Sequence, residues 1–473
     1  MRRDKKAGFR REVTAGREAF RAGDLNEAFR RLERAHVLGQ RWLATHLSSR
    51  WWMLRVALRR KDRREVRGQL RRLAATFPGY ALGWVPKGNT GGVNVHPLRP
   101  MPVPDDLRDD LGRYSVTLDV IGRVLLWAAV AAAVWASLRG AEVLAWSGER
   151  EAVETIYAGT CEPVPGLHGA EDIVADRSSG LAYAIGGDRR SFRSGGDGRA
   201  RVSVMNLTTE DVRLDLLPSR PTLRSFGGDL HIAADGTRRL LIANRPDGQH
   251  AVEVYAVTED GQLRHERSLT HPLLRNPNDL VALGSDRALV TLDKEADAGG
   301  LAEVAEGLRR AATGRVLLLD GERSRVVADD LLTANGIALS GDGRTLYVAE
   351  MTGQALSVFD RDPATDGLAM KRRVALPTSP DNLTIAPDGR VLITGHAKLL
   401  TLALLHQRSG RFRSPTEIVA FDPESGEIVP VMTDDGSVVS GGSVALATGR
   451  GGILVGTAFG PSVLRCSDDG SAT

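Results

Sequence analysis

The sequence predicts a chain of three parts, an α plus all-β combination: an N-terminal helical domain, one transmembrane helix and a six-bladed β-propeller. Three observations carry this reading. Residues 1–113 hold 26 Lys/Arg against 12 Asp/Glu, and the remainder holds 37 against 47, so the two ends of the chain suit different surroundings. Between them residues 124–138, VLLWAAVAAAVWASL, carry no charge. Beyond Cys161 a unit of roughly fifty residues recurs. At 473 residues the chain is also too long for one ordinary domain.

Residues 9–75 read as helices. Ala15, Ala19 and Phe20 lead to Gly23-Asp24, and Ala28, Leu32 and Ala35 follow, as in a tetratricopeptide-like hairpin. LSSRWWMLRVALRRKDRREVRGQLRRLAATF continues with a second helix pair, giving a helical, cytoplasmic domain over residues 1–104. His36 and His46 have no cysteine nearby and read as surface or packing residues rather than metal ligands. The arginines are spread over helix faces without aromatic interleaving, which argues against a nucleic-acid partner. AHVLGQRWLATH and GWVPKGNTGGVNVHPLRPMPVP resemble a small bacterial family of short helical proteins of unknown function. That family is often encoded near metal-resistance genes; the resemblance covers about residues 10–104 and implies no activity. Pro97, Pro100, Pro102 and Pro104 stiffen the approach to a linker at 105–115.

A membrane-spanning helix needs about 20 apolar residues. The window 116–138 meets this if Asp119 and Arg123, about one turn apart near one end, snorkel or pair. It reads as an uncleaved signal-anchor with the Arg-rich side cytoplasmic. A connecting segment at 139–160 and an extracytoplasmic, periplasmic propeller at 161–473 then follow. The alternative is a buried helix of a soluble protein. The two cysteines, Cys161 and Cys466, lie at opposite ends of the acidic part with no CxxC to suggest zinc. They either form one disulfide or are unrelated free thiols.

The six recurring units are EDIVADRSSGLAYAIG, DLHIAADGTRRLLIANR, NDLVALGSDRALVTLDK, ANGIALSGDGRTLYVAEM, DNLTIAPDGRVLITGH and GGSVALATGRGGILVGTAFG. Each pairs an apolar strand with a polar turn and a second strand. VEVYAV, ALSVFD and EIVAFD supply outer strands, and no long helical crossovers intervene. In a propeller the first strand of each blade lines the central channel, so the residues at its entrance converge. In order these read Glu171-Asp172, His231-Ile232, Asn278-Asp279, Asn335-Gly336, Asp381-Asn382 and Gly442-Ser443. Converging carboxylates repel unless a cation sits between them. A ring of oxygen donors without thiolates suits Ca²⁺. The alternative is that each pair caps its own turn.

NPNDLVALG, TANGIALSGDGRTLYVAE, PDNLTIAPDGR and SGGSVAL…ILVGTAFG…LRC, in this order, resemble the paraoxonase/arylesterase family, and the match runs from about Leu125 to Cys466. The family's members are secreted or membrane-anchored six-bladed propellers with two calcium ions. The resemblance implies a Cys161–Cys466 disulfide between first and last strands. It implies Glu171, Asn278, Asn335, Asp381 and Asn382 as ligands of a catalytic calcium. Asp172, Asp279 and the main-chain carbonyl of Ile232 would hold a deeper, structural one. The implied activity is hydrolysis of carboxylic esters or lactones, with Ca²⁺ polarising the carbonyl for attack by water. The family's histidine positions are altered here: Asp229-Leu230-His231-Ile232 shifts one histidine, and Asn244-Arg245-Pro246-Asp247 puts Arg in place of another. Asp293, His396 and His231 are then the candidates for the general base. Residues 294–314 are expected to form a helical lid beside the mouth. The LLTLALLH run at 399–406 is expected to be either an apolar wall or an outer strand. A sugar-lactone hydrolase of the regucalcin or gluconolactonase type is one alternative function. A non-catalytic, calcium-stabilised propeller for binding or sensing is the other.

Overall fold

The computed structural model describes residues 6–467 except 112–114, 158, 166, 168, 194–199, 210, 214–215, 217–222, 247, 259–260, 298–299 and 449–450. Part of the expected linker, and Asp247, therefore lie outside the described residues. The chain divides into two compact units, Met1–Gly140 and Ala141–Thr473.

In the first unit the predicted helices form as α1 (Ala7–Ala22), α2 (Leu25–Gly39), α3 (Leu43–Arg59) and α4 (Arg63–Leu82). Gly23 ends α1 at φ +88°, and Asp24 caps α2 by accepting from the Glu27 amide at 2.9 Å. This left-handed glycine followed by an N-cap aspartate makes the turn that the sequence marks. Ala28, Leu32, Met53 and Val56 form one apolar cluster between the helices. His36 and His46 are buried packing residues: His36 Nδ1 lies 3.0 Å from Ser49 Oγ, and Arg50 Nε donates to His46 Nε2 at 2.9 Å. The short α5 (Asp105–Leu111) precedes α6 (Val116–Trp146). At 31 residues α6 is longer than the predicted 116–138 window; none of its residues is buried, and it is long and apolar enough to cross a membrane.

The second unit is built from six four-stranded antiparallel sheets. The innermost strands are Ala170–Asp176, Ser225–Ile232, Pro277–Ala282, Ala334–Leu339, Ser379–Ile385 and Gly442–Ala447. Each touches the innermost strands of the blades before and after it, closing a ring. The Pro-Asp-Gly turn of the fifth blade shows why the units form hairpins. Gly389 adopts φ +86°, its amide donates to Ala386 O, and Asp388 accepts from the Arg390 amide at 3.1 Å. Side chains between sheets make the core, as where Tyr347, Leu356 and Val358 of the fourth blade meet Leu383, Ile393 and Phe421 of the fifth. The sixth blade is composite: Thr160–Pro163 pairs with Leu464–Ser467, with Cys161 opposite Cys466, and a disulfide joins the two. Both ends of the propeller thus share one sheet and one covalent link.

The expected lid contains a helix, α8, at Leu301–Arg309, with α7 at Arg189–Arg193 formed earlier in the chain. The LLTLALLH run is not an outer strand. It forms a π-helical turn, Thr401–His406, between the second and third strands of the fifth blade, with Leu404 and Leu405 exposed. An apolar run of eight residues is too short for periodicity to separate the two.

Candidate metal centre at the channel mouth

A one-residue bulge interrupts the innermost pairing near the start of every blade. The residue that follows the last pair before the bulge is Glu171, Phe226, Asn278, Asn335, Asp381 or Ser443, according to the blade. Bulges turn side chains out of the pleat, and here they place these six in one ring at the channel mouth. The next residue down is Asp172, Gly227, Asp279, Gly336, Asn382 or Val444.

This register corrects two readings. In the second blade the entrance is Phe226-Gly227. His231 and Ile232 lie five residues further along, opposite Arg239 and Arg238 at the far end of the strand, where Arg238 pairs with Asp176 at 2.7 Å. His231 and the Ile232 carbonyl therefore do not reach the mouth, and Ile232 is 41% exposed. In the sixth blade the entrance pair is Ser443-Val444, one residue later than Gly442-Ser443.

Glu171, Asp172, Asn278, Asp279, Asn335, Asp381 and Asn382 are all buried. The side-chain oxygens of Asn278, Asn335 and Asn382, from three different blades, are buried without a hydrogen-bond partner among the described residues. Buried oxygens left unpaired are costly, and three aimed into one ring fit a hard cation that takes neutral oxygen donors. Asn382 Nδ2 donates to the backbone oxygen of Glu171 at 2.9 Å, tying the fifth blade to the first across the mouth. The Glu171 carboxylate is paired with the Arg189 guanidinium. Among the described residues, no three His, Cys, Asp or Glu side chains stand close enough to hold a metal by themselves. Amides mixed with single carboxylates are the donor set on offer.

Below the ring lie three carboxylates, the buried Asp172 and Asp279 and the half-buried Asp229, each bonded to two backbone amides. Asp172 accepts from Gly228 and Ile173, Asp229 from Ala282 and Leu230, and Asp279 from Ile337 and Leu280, all within 2.8–3.0 Å. One bond of each pair reaches the next blade, so the carboxylates also staple blades one to four together. Burial, followed by the neighbouring charges of Asp229 and Asp381, pushes Asp172 up to about 7. Burial pushes Asp229 up to about 6. Asp279 is raised well above the usual range by burial and by Asp172. Glycine is required at Gly227, because a Cβ there would collide with Asp279 Oδ1. Asp172 and Asp279 influence one another electrostatically, but with Asp229 they do not stand close enough to hold a metal as three carboxylates by themselves. Asp229 was not among the residues expected from sequence; the Gly228-Asp229-Leu230 run, with its acid before an apolar residue like Asp172-Ile173 and Asp279-Leu280, was the available signal.

The remaining predicted side chains are at the same end. His396, the last residue of its strand, is buried; its Nε2 lies 3.0 Å from Asp381 Oδ2, and its Nδ1 is buried without a partner among the described residues. Asp293 follows the second strand of the third blade. Its Oδ2 is 3.0 Å from Arg245 Nη2 and 3.6 Å from Lys294 Nζ, while its Oδ1 is buried and unpartnered among the described residues. Arg245 thus holds Asp293.

A profile of the arylesterase family matches residues 200–467, and a profile of a protein family of unknown function (DUF3703) matches residues 3–111. Serum paraoxonase/arylesterase 1 of Homo sapiens is 28% identical over 324 residues, covering 65% of this chain and 88% of that protein. Serum paraoxonase/arylesterase 2 of Bos taurus is 29% identical over 319 residues, with the same coverage. Serum paraoxonase/lactonase 3 of Homo sapiens is 26% identical over 318 residues, again covering 65% and 88%.

Proposed function

The chain belongs to the arylesterase family, and from that premise we propose that its propeller is a calcium-dependent hydrolase of carboxylic esters or lactones. The observation that carries this is the ring of unpartnered amide oxygens from Asn278, Asn335 and Asn382. With Glu171 and Asp381 these residues would hold one ion at the mouth. Asp172 and Asp279 would hold a deeper one. Bound calcium would supply Lewis-acid polarisation of the substrate carbonyl. The chain's own residues supply the proton transfer. With His396 Nε2–H donating to Asp381, the lone pair of the neutral ring is on Nδ1, the buried and unpartnered nitrogen. His396 is therefore the general base, taking the proton of the attacking water at Nδ1, with Asp381 fixing its tautomer. Asp293 is already engaged by the cations Arg245 and Lys294, which suits it to positioning.

Two further parts of the reading are proposals on the same footing. The helix α6 anchors the chain in a membrane, with residues 1–104 cytoplasmic, 105–115 a linker, 139–160 a connecting segment and 161–473 extracytoplasmic. The Cys161–Cys466 disulfide supports an oxidising compartment for the propeller. The second reading, a non-catalytic binding propeller, draws on Phe226, which puts a residue without proton chemistry in the ring.

The test is hydrolysis of a panel of lactones and aryl esters by the purified full chain and by H396Q. Turnover by the wild type, with a loss of roughly 10²–10⁴-fold in H396Q at unchanged calcium content, is the expected result. Calcium binding without turnover of any panel member would establish the binding propeller instead.

A further inference from the structure

We propose that the C-terminal end of α4 is a lipid-binding surface. Phe77, Leu82 and Trp84 lie at the boundary of headgroups and acyl chains in the membrane that α6 crosses, and the helical domain rests on the phospholipid. This rests on the reading of α6 as a membrane anchor given above.

The two helices belong to one compact unit up to Gly140. Val116, Asp119, Val120 and Arg123 of α6, spaced three and four apart, are half-buried, while Leu118, Ile121 and Gly122 between them are exposed. That face meets the end of α4. The central carbon of Arg123 stands 4.4 Å from the centroid of the Tyr80 ring. Trp127, one turn on, donates from Nε1 to Ala81 O at 2.9 Å. The Asp119 carboxylate is 3.5 Å from Arg41 Nη2, and its backbone oxygen is so near Gly83 that a Cβ there would collide with it. The two charges that precede the apolar run are thus met by the helical domain, Asp119 by an ion pair and Arg123 by an aromatic face.

These contacts set a depth. The uncharged run 124–138 covers only about 22 Å of a hydrocarbon layer about 30 Å thick, so in a membrane all of it, Trp127 included, lies within the lipid. A helical side chain leans back over the turn before it. The Trp127 indole is therefore at the level of Arg123 and Val124, where charge gives way to the apolar run. Ala81, bonded to that indole, is at the same level, and the chain around it cannot stand clear of the membrane surface.

Its composition suits that position. Phe77, Leu82 and Trp84 are 57%, 51% and 53% exposed, although each is a large apolar side chain. Trp and Tyr concentrate where a membrane meets water, and Tyr80 and Trp84 flank the contact with α6. Earlier on α4, Arg67, Leu70, Arg71, Ala74, Phe77 and Pro78 recur at intervals of three and four and are all exposed. One face of the helix thus offers two guanidiniums to headgroup phosphates and becomes apolar toward the end held by α6.

The test places the full chain in vesicles of phosphatidylcholine and phosphatidylglycerol, with a nitroxide on one introduced cysteine; both native cysteines are in the disulfide. Collisions of the label with oxygen, which concentrates in lipid, are compared with collisions with a water-soluble nickel chelate. V130C, near the middle of the apolar run, and E18C, exposed on α1, are the references. F77C, L82C and W84C are expected to read between the two, about 5–10 Å into the boundary of headgroups and acyl chains. If V130C reads hydrocarbon while these three match E18C, the lipid surface is overturned and the anchor stands. Labels at 77, 82 and 84 that neither reagent reaches are covered by protein, a second copy or another part of the chain, which overturns it as well. If V130C itself matches E18C, the anchor fails and the lipid surface fails with it.

Discussion

Stripping calcium should make the stability of the propeller fall as pH rises. Asp172 stands near 7 and Asp229 near 6 in the metal-free fold, against 3.8 for an ordinary aspartate. Both are raised above the unfolded value, so the native state binds more protons than the unfolded state between about pH 4 and 7. Their contribution is fully present below the unfolded value and is lost as pH rises through 6 and then 7. From pH 5 to pH 8 Asp229 is ionised over about two units and Asp172 over about one, and the protons retained up to those points correspond to a loss on the order of 4 kcal/mol, at about 1.4 kcal/mol per unit. For a domain of this size that is roughly 10 °C in melting temperature. Calcium bound as proposed would stabilise the ionised carboxylates, so the loaded protein should lack this fall. The assay is differential scanning calorimetry in chelator and in calcium at pH 5, 6, 7 and 8. A chelated protein whose melting temperature is level or rises over this range would refute the reasoning, as would a calcium-induced shift of equal size at both ends.

Three substitutions probe other parts of the account. N335A removes one of the unpartnered ring oxygens and should weaken calcium binding at least roughly tenfold by calorimetry, with little change in the fold by circular dichroism. G227A drives a Cβ into Asp279 Oδ1; it should cost about 1–3 kcal/mol in denaturant melts of the loaded protein, and an unchanged midpoint would contradict the register assigned to the second blade. Replacing Cys161 and Cys466 together by serine opens the link across the sixth blade, 305 residues apart in sequence, and should cost roughly 3–5 kcal/mol in unfolding free energy.

The propeller and most of the ring were legible because the blades repeat. Asp381-Asn382 means little alone, but the same entrance chemistry at Glu171-Asp172, Asn278-Asp279 and Asn335-Gly336 identifies a shared position. The second blade was not legible for a physical reason. Its entrance, Phe226-Gly227, offers an aromatic ring and a missing side chain where Glu171-Asp172, Asn278-Asp279 and Asp381-Asn382 offer oxygens, so a polar residue further along the strand, His231, took the place. Strand alternation alone cannot correct this, since a slip along the strand leaves an equally plausible pattern. Arg189 was hidden differently: it lies on α7, a short helix outside the repeated strand pairs, and nothing in its local sequence points to Glu171. Its contact is a property of the closed ring. The π-helical turn at Thr401–His406 was ambiguous from the start, because apolar content alone specifies burial and not conformation.

The central claim, that the mouth of this channel is a calcium site that hydrolyses carbonyl substrates, is tested most directly by turnover of the best ester or lactone in the panel before stripping, after stripping and after restoring calcium, with metal content measured at each stage. The account predicts activity that disappears with the last bound ion and returns when calcium is added back, while N335A recovers only at higher calcium. Full turnover by protein shown to be free of calcium would contradict it.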